Sequence, residues 1–370
     1  MDDSCEYINF KDVIYVNSHF LLTKTFFMKR LFTIMLFAAM LLPWTMQGQI
    51  MPSYTFRTGV DSTKWITLDA TATQIFGATQ DDQASSVIDF GFNFQFGEDF
   101  YHQFSVSTNG LFTLGPVAAG TSNGYAKFSS SNNFPKIIGV GKDLGTCTGG
   151  YIKYQIVGQA PSRTLVVEYK TGHHYTSTNI ADVFWQVQLH EDSNKVVLVY
   201  GPTAPATIPS SYQSGLGVSI NDFLIINPST NAITHHTASY STSTSAWHGI
   251  NRYYEFVAPV ITCAKPASVE LNNITDASVD VSWQEMGTAT QWIIEYGTTG
   301  FVPGTGSGDI ANTASYSLTG LAPNTAYDIY VSSYCSASDT SNRTKVSFTT
   351  ACGLYDNTQL PLIESFETWT

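Results

Sequence analysis

Apolar and polar residues alternate strictly in short runs of this chain, most regularly in its final third. Val279, Val281 and Trp283 alternate with serine and aspartate, and Trp292 and Ile294 repeat the pattern shortly afterwards. Successive side chains of a β-strand point to opposite faces, so each run gives a strand with one apolar and one polar face. The alternation predicts antiparallel sheets that bury one face.

Short runs of the same kind recur before this region, with no helical period of useful length between residues 53 and 259. The clearest pair is a hairpin in which residues 184–190 and 195–200 flank the polar loop 191–194. Further candidate strands are residues 86–96, 103–114, 151–157 and 164–170. About ten such strands predict one large jelly-roll-like β-sandwich over residues 49–259.

The composition sets the scale and excludes one class of partner. At 370 residues the chain is long enough for two or three domains. Charged residues make up 12% and the formal net charge is -12, with a pI near 4.9. Binding to a phosphate backbone requires clustered basic residues, so the sequence predicts no nucleic-acid partner.

The first 48 residues contain a segment that resembles a targeting signal. A basic group at Met28-Lys29-Arg30 precedes an apolar run over residues 31–42, followed by Pro43 and the small residue Gly48. This order is typical of a secretory signal peptide, whose basic region lies at the chain start, so we expect Met28 to be the true first residue. A membrane anchor is the alternative, although a span needs about 20 apolar residues. We expect no integral span in the mature form.

A set of spaced residues then identifies the last third of the chain. Trp283 lies in an early strand, Leu321, Pro323 and Tyr327 have the spacing of a tyrosine corner, and a last strand ends at Phe348. Residues 260–351 therefore resemble a fibronectin type III module. The resemblance implies a seven-stranded sandwich and makes the whole chain all-β, a jelly-roll-like sandwich followed by this module.

Cysteines flank the module, as they do in secreted bacterial surface proteins of the gingipain-adhesin kind, which this region resembles. In the topology that the resemblance implies, Cys263 and Cys335 come to the same pole and form a disulfide. Cys352 leaves from the opposite pole and is free or paired beyond the module. The rival pairing of Cys335 with Cys352 stays open. Residues 352–370 resemble the opening strand of a further domain of the cleaved-adhesin type, which predicts a truncated β domain there.

No catalytic motif stands out. Cys147 with His173 or His174 is the one candidate for cysteine-protease chemistry, and an unreactive structural thiol is the favoured alternative. The adjacent pairs His173-His174 and His235-His236 point to opposite faces of a strand, which disfavours a shared metal ion. We therefore predict no catalytic and no metal residues in this region.

The adjacent acids Asp81-Asp82 and Glu191-Asp192 lie in turn-like segments. Solvated loops are the favoured interpretation of both pairs. Calcium coordination, which uses carboxylate oxygens, is the alternative and gives the one cofactor to consider.

Trp247 and His248 are the binding candidates, because they follow a Ser- and Thr-rich tract that begins at His235. A tryptophan on an exposed loop can stack on a sugar ring or dock a partner. The favoured interpretation, however, is that Trp247 packs under its own loop as part of the core.

Three functions fit these observations. The first is a non-catalytic adhesion and binding region of an exported surface protein, with a protein or glycan ligand. The second is a set of accessory modules for an exported peptidase or glycosidase whose catalytic domain lies elsewhere. The third is a spacer without a ligand.

Overall fold

The structure is a computed structural model that describes residues 49–122, 124, 126–172, 180–206 and 209–353. It is all-β, with two short 3-10 helices at Met51–Ser53 and Ser62–Lys64. Within these residues, no helix has the length and apolar character needed to cross a bilayer. The predicted signal peptide, the predicted start at Met28 and the last residues of the chain lie outside the described ranges.

The first sandwich contains the strands β1 to β14. Their bounds are β1 Thr55–Val60, β2 Thr73–Phe76, β3 Ile88–Phe96, β4 Asp99–Val106, β5 Leu111–Leu114, β6 Lys136–Gly141, β7 Tyr151–Val157, β8 Thr164–Thr171, β9 Val183–His190, β10 Lys195–Tyr200, β11 Gln213–Ser219, β12 Asp222–Asn227, β13 Ala232–His236 and β14 Arg252–Val257.

These strands form two seven-stranded sheets, in the orders β1-β14-β10-β9-β8-β7-β2 and β13-β12-β11-β6-β5-β4-β3. Most neighbours follow one another along the chain, so antiparallel hairpins dominate. The predicted hairpin is confirmed, because His190 pairs with Lys195 at the base of the loop. A cluster of buried aromatic and aliphatic side chains from both sheets forms the core between them.

The candidate strand over residues 103–114 was wrong as a single element. The chain turns between Val106 and Leu111, and β4 and β5 pair with each other across that turn. Gly110 has a φ of +85°, and a Cβ at this position would lie 1.9 Å from the carbonyl oxygen of Val140. Apolar residues lie on both sides of the polar segment 107–109, and the Asn109-Gly110 pair, which is typical of tight turns, separates the two strands.

The second sandwich contains β15 Ala267–Asn272, β16 Ser278–Gln284, β17 Trp292–Thr298, β18 Ser307–Ala311, β19 Ser315–Thr319, β20 Ala326–Ser336, β21 Asp339–Thr340 and β22 Thr344–Thr349. One sheet has the order β15-β16-β19. The other has β18-β17-β20, and β20 pairs with both β22 and the short β21. The first strand of the module thus pairs with the second, as in a fibronectin type III sandwich.

The apolar residues of the alternating runs form the core of this module. Val279, Val281 and Trp283 are all buried, as are Trp292 and Ile294 on the facing sheet. The rings of Trp283 and Trp292 meet edge to face, with their centroids 5.7 Å apart. The strict period of two therefore placed the apolar face correctly.

The tyrosine corner and the disulfide complete the module. The hydroxyl of Tyr327 accepts a hydrogen bond of 3.0 Å from the backbone N–H of Ala322, just after the buried Leu321. Cys263 and Cys335 form a disulfide with their Cα atoms 5.9 Å apart. This is the pairing that the resemblance implied, and it excludes the rival pairing of Cys335 with Cys352.

Direct contacts join the two sandwiches. The ammonium of Lys265 lies 2.7 Å from a carboxylate oxygen of Asp99, and the Asn342 amide donates to Glu98 over 2.5 Å. The Gln95 side-chain amide donates to the carbonyl of Pro259 in the short linker. The turn between β3 and β4 and the residues next to it thereby contact the linker and the second module. One of these contacts is made by Lys265, which lies two residues beyond Cys263.

Candidate functional site

The predicted binding residues Trp247 and His248 lie where the loop before β14 packs onto the core. His248 is only 2% exposed, and its ring stacks on that of Tyr200 with centroids 3.8 Å apart. Trp247 is half-buried and meets Tyr200 edge to face. Trp247 packs against the core cluster with its indole nitrogen buried, in line with the favoured interpretation from sequence, so its role as a ligand contact stays a prediction. His248 has no exposed surface of use to a ligand.

His248 belongs to a buried polar network rather than to a catalytic pair. The hydroxyl of Ser214 donates its single proton to the carbonyl of Gly139, so at 2.9 Å it accepts from Nε2–H of His248. A serine nucleophile needs the opposite polarity, in which imidazole takes the hydroxyl proton. Burial, with Arg252 nearby, holds the pKa of His248 well below its usual value, so the ring stays neutral.

The concave surface of this region lies beside the network. It is a groove of about 250 Å³ between the ends of β11, β12 and β13 and the loop that follows β13. We call it the β13 groove. Its lining is polar and aromatic, and the residues used below are Asn227, Ser229, Thr234, His236, Tyr240 and Ser243.

A ladder of aromatic rings supports the β13 groove from below. Phe128 stacks on Phe223 with centroids 4.9 Å apart, Phe223 stacks on His236 at 5.4 Å, and His236 meets Tyr240 at 4.3 Å. Phe128 and Phe223 are fully buried, and the other two rings are partly exposed. The ladder therefore runs from the interior of the sandwich to the groove and ends on Tyr240.

The loop that carries Tyr240 is fixed by a single buried side chain. The amide nitrogen of Gln213 donates to the carbonyls of Tyr240 and Thr242, each over 2.9 Å, and its oxygen accepts from the N–H of Phe128. Gln213 is 2% exposed, so these bonds are shielded from water. Tyr240 is consequently held in place before any ligand arrives.

The groove leaves much of its hydrogen-bonding capacity unused. The side-chain hydroxyls of Ser229, Thr234, Tyr240 and Ser243 and both ring nitrogens of His236 have no hydrogen-bond partner among the described residues. None of the described residues that line the groove is charged at neutral pH. Burial and, to a smaller extent, the neighbouring His235 lower the pKa of His236. At neutral pH the site is therefore uncharged.

A second concave surface in the fibronectin-like module differs in this respect. It is an open area of about 510 Å³ on the β15-β16-β19 sheet, and it includes Asp280 and Tyr316. One oxygen of Asp280 accepts from Asn273 and the other from Ser317, while the Tyr316 hydroxyl donates to Asp309. Its prominent polar groups already satisfy one another, which makes this larger surface the weaker site.

The two acidic pairs singled out from the sequence have different surroundings. Glu191 accepts two hydrogen bonds from the guanidinium of Arg163, at 2.6 and 2.8 Å, which lowers the pKa of Glu191. Asp81 and Asp82 instead meet Asp143, with one oxygen from each of the three lying within 4.8 Å of the others. Three carboxylates are a partial ligand set for calcium, which takes six to eight oxygens.

The remaining candidates from sequence have structural surroundings. Cys147 is buried with a free thiol, and burial, together with Asp81 and Asp182, raises its pKa, the reverse of what a nucleophile needs. His173 and His174 lie outside the described residues. His235 bonds to Asp222 at 2.8 Å while His236 joins the ring ladder, so these two neighbours do face different partners.

Sequence reasoning reached the right tract but missed the residues that line its groove. The interval from His235 to His248 contains both His236 and Tyr240. Tyr240 gave no signal because a lone tyrosine in a Ser- and Thr-rich loop is common. Gln213, which holds the loop, lies over twenty residues earlier, and only the pairing of the strands brings it close.

Comparisons with known proteins cover both sandwiches. The sequence model of a family described as NIDO related matches residues 53–258, and that of the fibronectin type III domain matches residues 264–350. The second match confirms the module proposed from Trp283 and the tyrosine corner. Both families are typically non-catalytic modules. No curated protein matches the chain.

Solved structures similar to part of the chain include fibronectin type III domains from animals. One from the human collagen alpha-1(XX) chain is 18% identical, covering 25% of this chain and 89% of that one, with a TM-score of 0.23. Another from human collagen XX is 23% identical, covering 25% and 98%, with a TM-score of 0.22. The FN5 domain of Drosophila Lar is 22% identical, covering 24% and 96%, with a TM-score of 0.20.

Proposed function

Because the chain belongs to the NIDO-related family and carries a fibronectin type III module, we propose that it is the non-catalytic adhesion and binding region of an exported bacterial surface protein. The observation that carries the proposal is the β13 groove, a preformed concave site with unused hydrogen-bonding groups. Such sites serve recognition, since a small number of fixed polar groups orients a ligand.

Export is supported by two independent features. The Cys263–Cys335 disulfide requires an oxidising compartment to persist, which favours a secreted or surface location. The basic and apolar segment over residues 28–48 has the order of a signal peptide. Both support an extracellular location, and the proposed gingipain-adhesin kind rests only on the resemblance of the Cys-flanked module.

The contacts between the two sandwiches support a binding region with a fixed shape rather than a flexible spacer. The Lys265–Asp99 ion pair and the Asn342–Glu98 hydrogen bond hold the modules in one relative orientation. A fixed orientation presents the β13 groove at a defined position relative to whatever follows the second module.

Localisation tests the exported part of this proposal. Cells that express the full chain with an epitope tag should display it to antibody without permeabilisation, and the released protein should begin near Gln49. Peptide mapping without reduction should recover the peptide that joins Cys263 to Cys335. A reduced protein confined to the cytoplasm would overturn the export proposal.

Binding is tested separately with the purified chain. Immobilised protein should retain members of a panel of extracellular-matrix proteins and mucins above an albumin control. A panel that gives only the albumin background rejects the adhesion function and favours a spacer. Hydrolysis of the retained proteins, if a longer natural product is tested, would instead favour the accessory role beside a peptidase or glycosidase.

A further inference from the structure

The β13 groove combines aromatic rings, free hydroxyls and the absence of charge, and this combination selects among ligand classes. An anionic ligand such as a phosphate or carboxylate needs a basic side chain or a helix N-terminus. The lining has neither, and the lowered pKa of His236 keeps that ring neutral at pH 7. The ligand chemistry that fits is therefore neutral and polar.

The arrangement of rings narrows the class further. Tyr240 ends a ladder of four rings and is held by the two bonds from Gln213, so its position is fixed at little entropic cost. A fixed aromatic ring beside hydrogen-bonding groups matches a ligand with one apolar face and hydroxyls around its edge. A pyranose ring has this form, with C–H groups on its face and hydroxyls at its rim.

The unused polar groups match the rim of such a ring. Thr234 and Ser229 supply hydroxyls at one side of the groove, and Ser243 supplies one from the loop. Each hydroxyl can donate one hydrogen bond and accept two, as sugar hydroxyls do. The Asn227 side-chain oxygen accepts from the N–H of Ser229, and its amide nitrogen has no hydrogen-bond partner in the described part of the chain.

An extended peptide is the main competing ligand, because β13 is the edge strand of its sheet. Peptides that add to an edge gain specificity from pockets for alternate side chains. The lining of the β13 groove is instead dominated by hydroxyl and amide side chains, which favours the sugar.

We propose that the β13 groove is a carbohydrate-binding site for a neutral sugar, with Tyr240 as its stacking platform and Asn227, Thr234 and Ser243 as its hydrogen-bonding groups. This inference rests on the proposed binding function and gives it a ligand class. The size of the groove, about 250 Å³, suits one sugar residue at the end or along the side of a glycan.

Saturation-transfer NMR on the full chain tests the proposal. The probes are methyl glycosides of mannose and galactose and free N-acetylglucosamine, with glucuronic acid as the charged control. At least one neutral sugar should receive saturation at its ring protons, and glucuronic acid should not. Signals from none of the three neutral sugars, or from glucuronic acid alone, overturn the proposal.

Variants then locate the site. Tyr240→Ala should weaken binding about tenfold by removing the platform. Tyr240→Phe keeps the ring ladder and should lose less, while Thr234→Val removes an exposed hydroxyl that bonds to no described residue. The matched control is Tyr316→Ala in the second module, which should bind as the native chain does. Equal binding by Tyr240→Ala and the native protein overturns the assignment.

The outcomes separate this inference from the function on which it rests. Circular dichroism melts show whether Tyr240→Ala folds, and Thr234→Val keeps the test valid if it does not. Retention of extracellular proteins that persists after their enzymatic deglycosylation identifies a peptide ligand, which overturns the sugar site and preserves the binding function. Loss of all retention by the native chain overturns both.

Discussion

The two sandwiches close their cores by different means. The first buries a large cluster of aromatic and aliphatic side chains between two seven-stranded sheets, together with several polar groups such as Lys136 and His248. The second has a much smaller cluster, centred on Trp283 and Trp292, and adds the Cys263–Cys335 disulfide. Small domains bury a smaller share of their surface, so they depend more on single anchors and covalent links.

The difference bears on function. A large core tolerates buried polar residues. In the first sandwich the buried Gln213 and the ring ladder fix the loop that lines the β13 groove. In the small module, polar side chains on the outer surface form hydrogen bonds with one another, as Ser317 does with Asp280. This difference is why we propose ligand binding for the first sandwich and a positioning role for the second.

The comparison is challenged most severely at Trp283. Trp283→Ala should destabilise the second module by about 3–5 kcal/mol, because truncating a buried tryptophan leaves a cavity in a small core. Chemical denaturation followed by two-dimensional NMR should show the module unfolding first. Trp247→Ala, at the half-buried tryptophan of the first sandwich, is the matched control and should cost less. Equal losses would show that the module does not depend on single anchors.

The disulfide gives the next largest effect. Replacing Cys263 and Cys335 together by serine should cost the second module roughly 2–5 kcal/mol, because the link closes a long loop in the unfolded chain. Thermal melts with and without reductant measure it. Cys147→Ser in the first sandwich should leave the response to reductant unchanged. A double variant with native stability would remove the covalent half of the comparison.

Lys136 tests the buried polar groups of the larger core. Its ammonium is fully buried and donates to the carbonyls of Lys127 and Ser130, and burial lowers its pKa to about 7. The unfolded lysine keeps a proton up to about pH 10, so the unfolded state binds more protons between these values. Stability should therefore rise with pH across this window, by up to about 1.4 kcal/mol per pH unit.

Below about pH 7 both states are protonated, and the cost of the buried charge is complete and constant. Lys136→Met keeps a side chain of similar length without the charge, so its stability should be higher at pH 7 and flat up to pH 9. Urea titrations at several pH values measure both proteins, with Lys153→Met, at a half-buried lysine of β7, as the control. Parallel pH profiles for the native protein and Lys136→Met would contradict the prediction.

The smallest effect concerns the junction. Lys265→Met and Asp99→Asn should each change stability by only about 0.5 kcal/mol, since exposed ion pairs contribute little. Their effect should appear in geometry, as a wider spread of domain orientations in residual dipolar couplings. The double variant should be no worse than either single one. Unchanged couplings would show that the linker, Gln95 and the Asn342–Glu98 hydrogen bond fix the orientation without the ion pair.

Much of the second module could be predicted from its residues. The period of two at Val279, Val281 and Trp283 gave the buried face, and the spacing from Leu321 to Tyr327 gave the corner. Both are local patterns that a strand imposes on its own sequence. The turn at Gly110 was missed although Asn109-Gly110 is a local turn signal, because the apolar residues on its two sides were interpreted as one strand.

Sequence by itself determined the all-β class, the two-part organisation and the fibronectin-like module, whereas the structure decided between the two cysteine pairings that the sequence left open. Only the tertiary structure decided which polar residues are consumed by packing and which remain available. His248 is enclosed by Tyr200 and Tyr254, whereas Tyr240 reaches a groove through a ring ladder that joins Phe128 to His236. The physical reason is that strand patterning is set by neighbours in the chain, while exposure and hydrogen-bond satisfaction depend on which separate elements pack together, as β11 and the loop after β13 do through Gln213 and Tyr240.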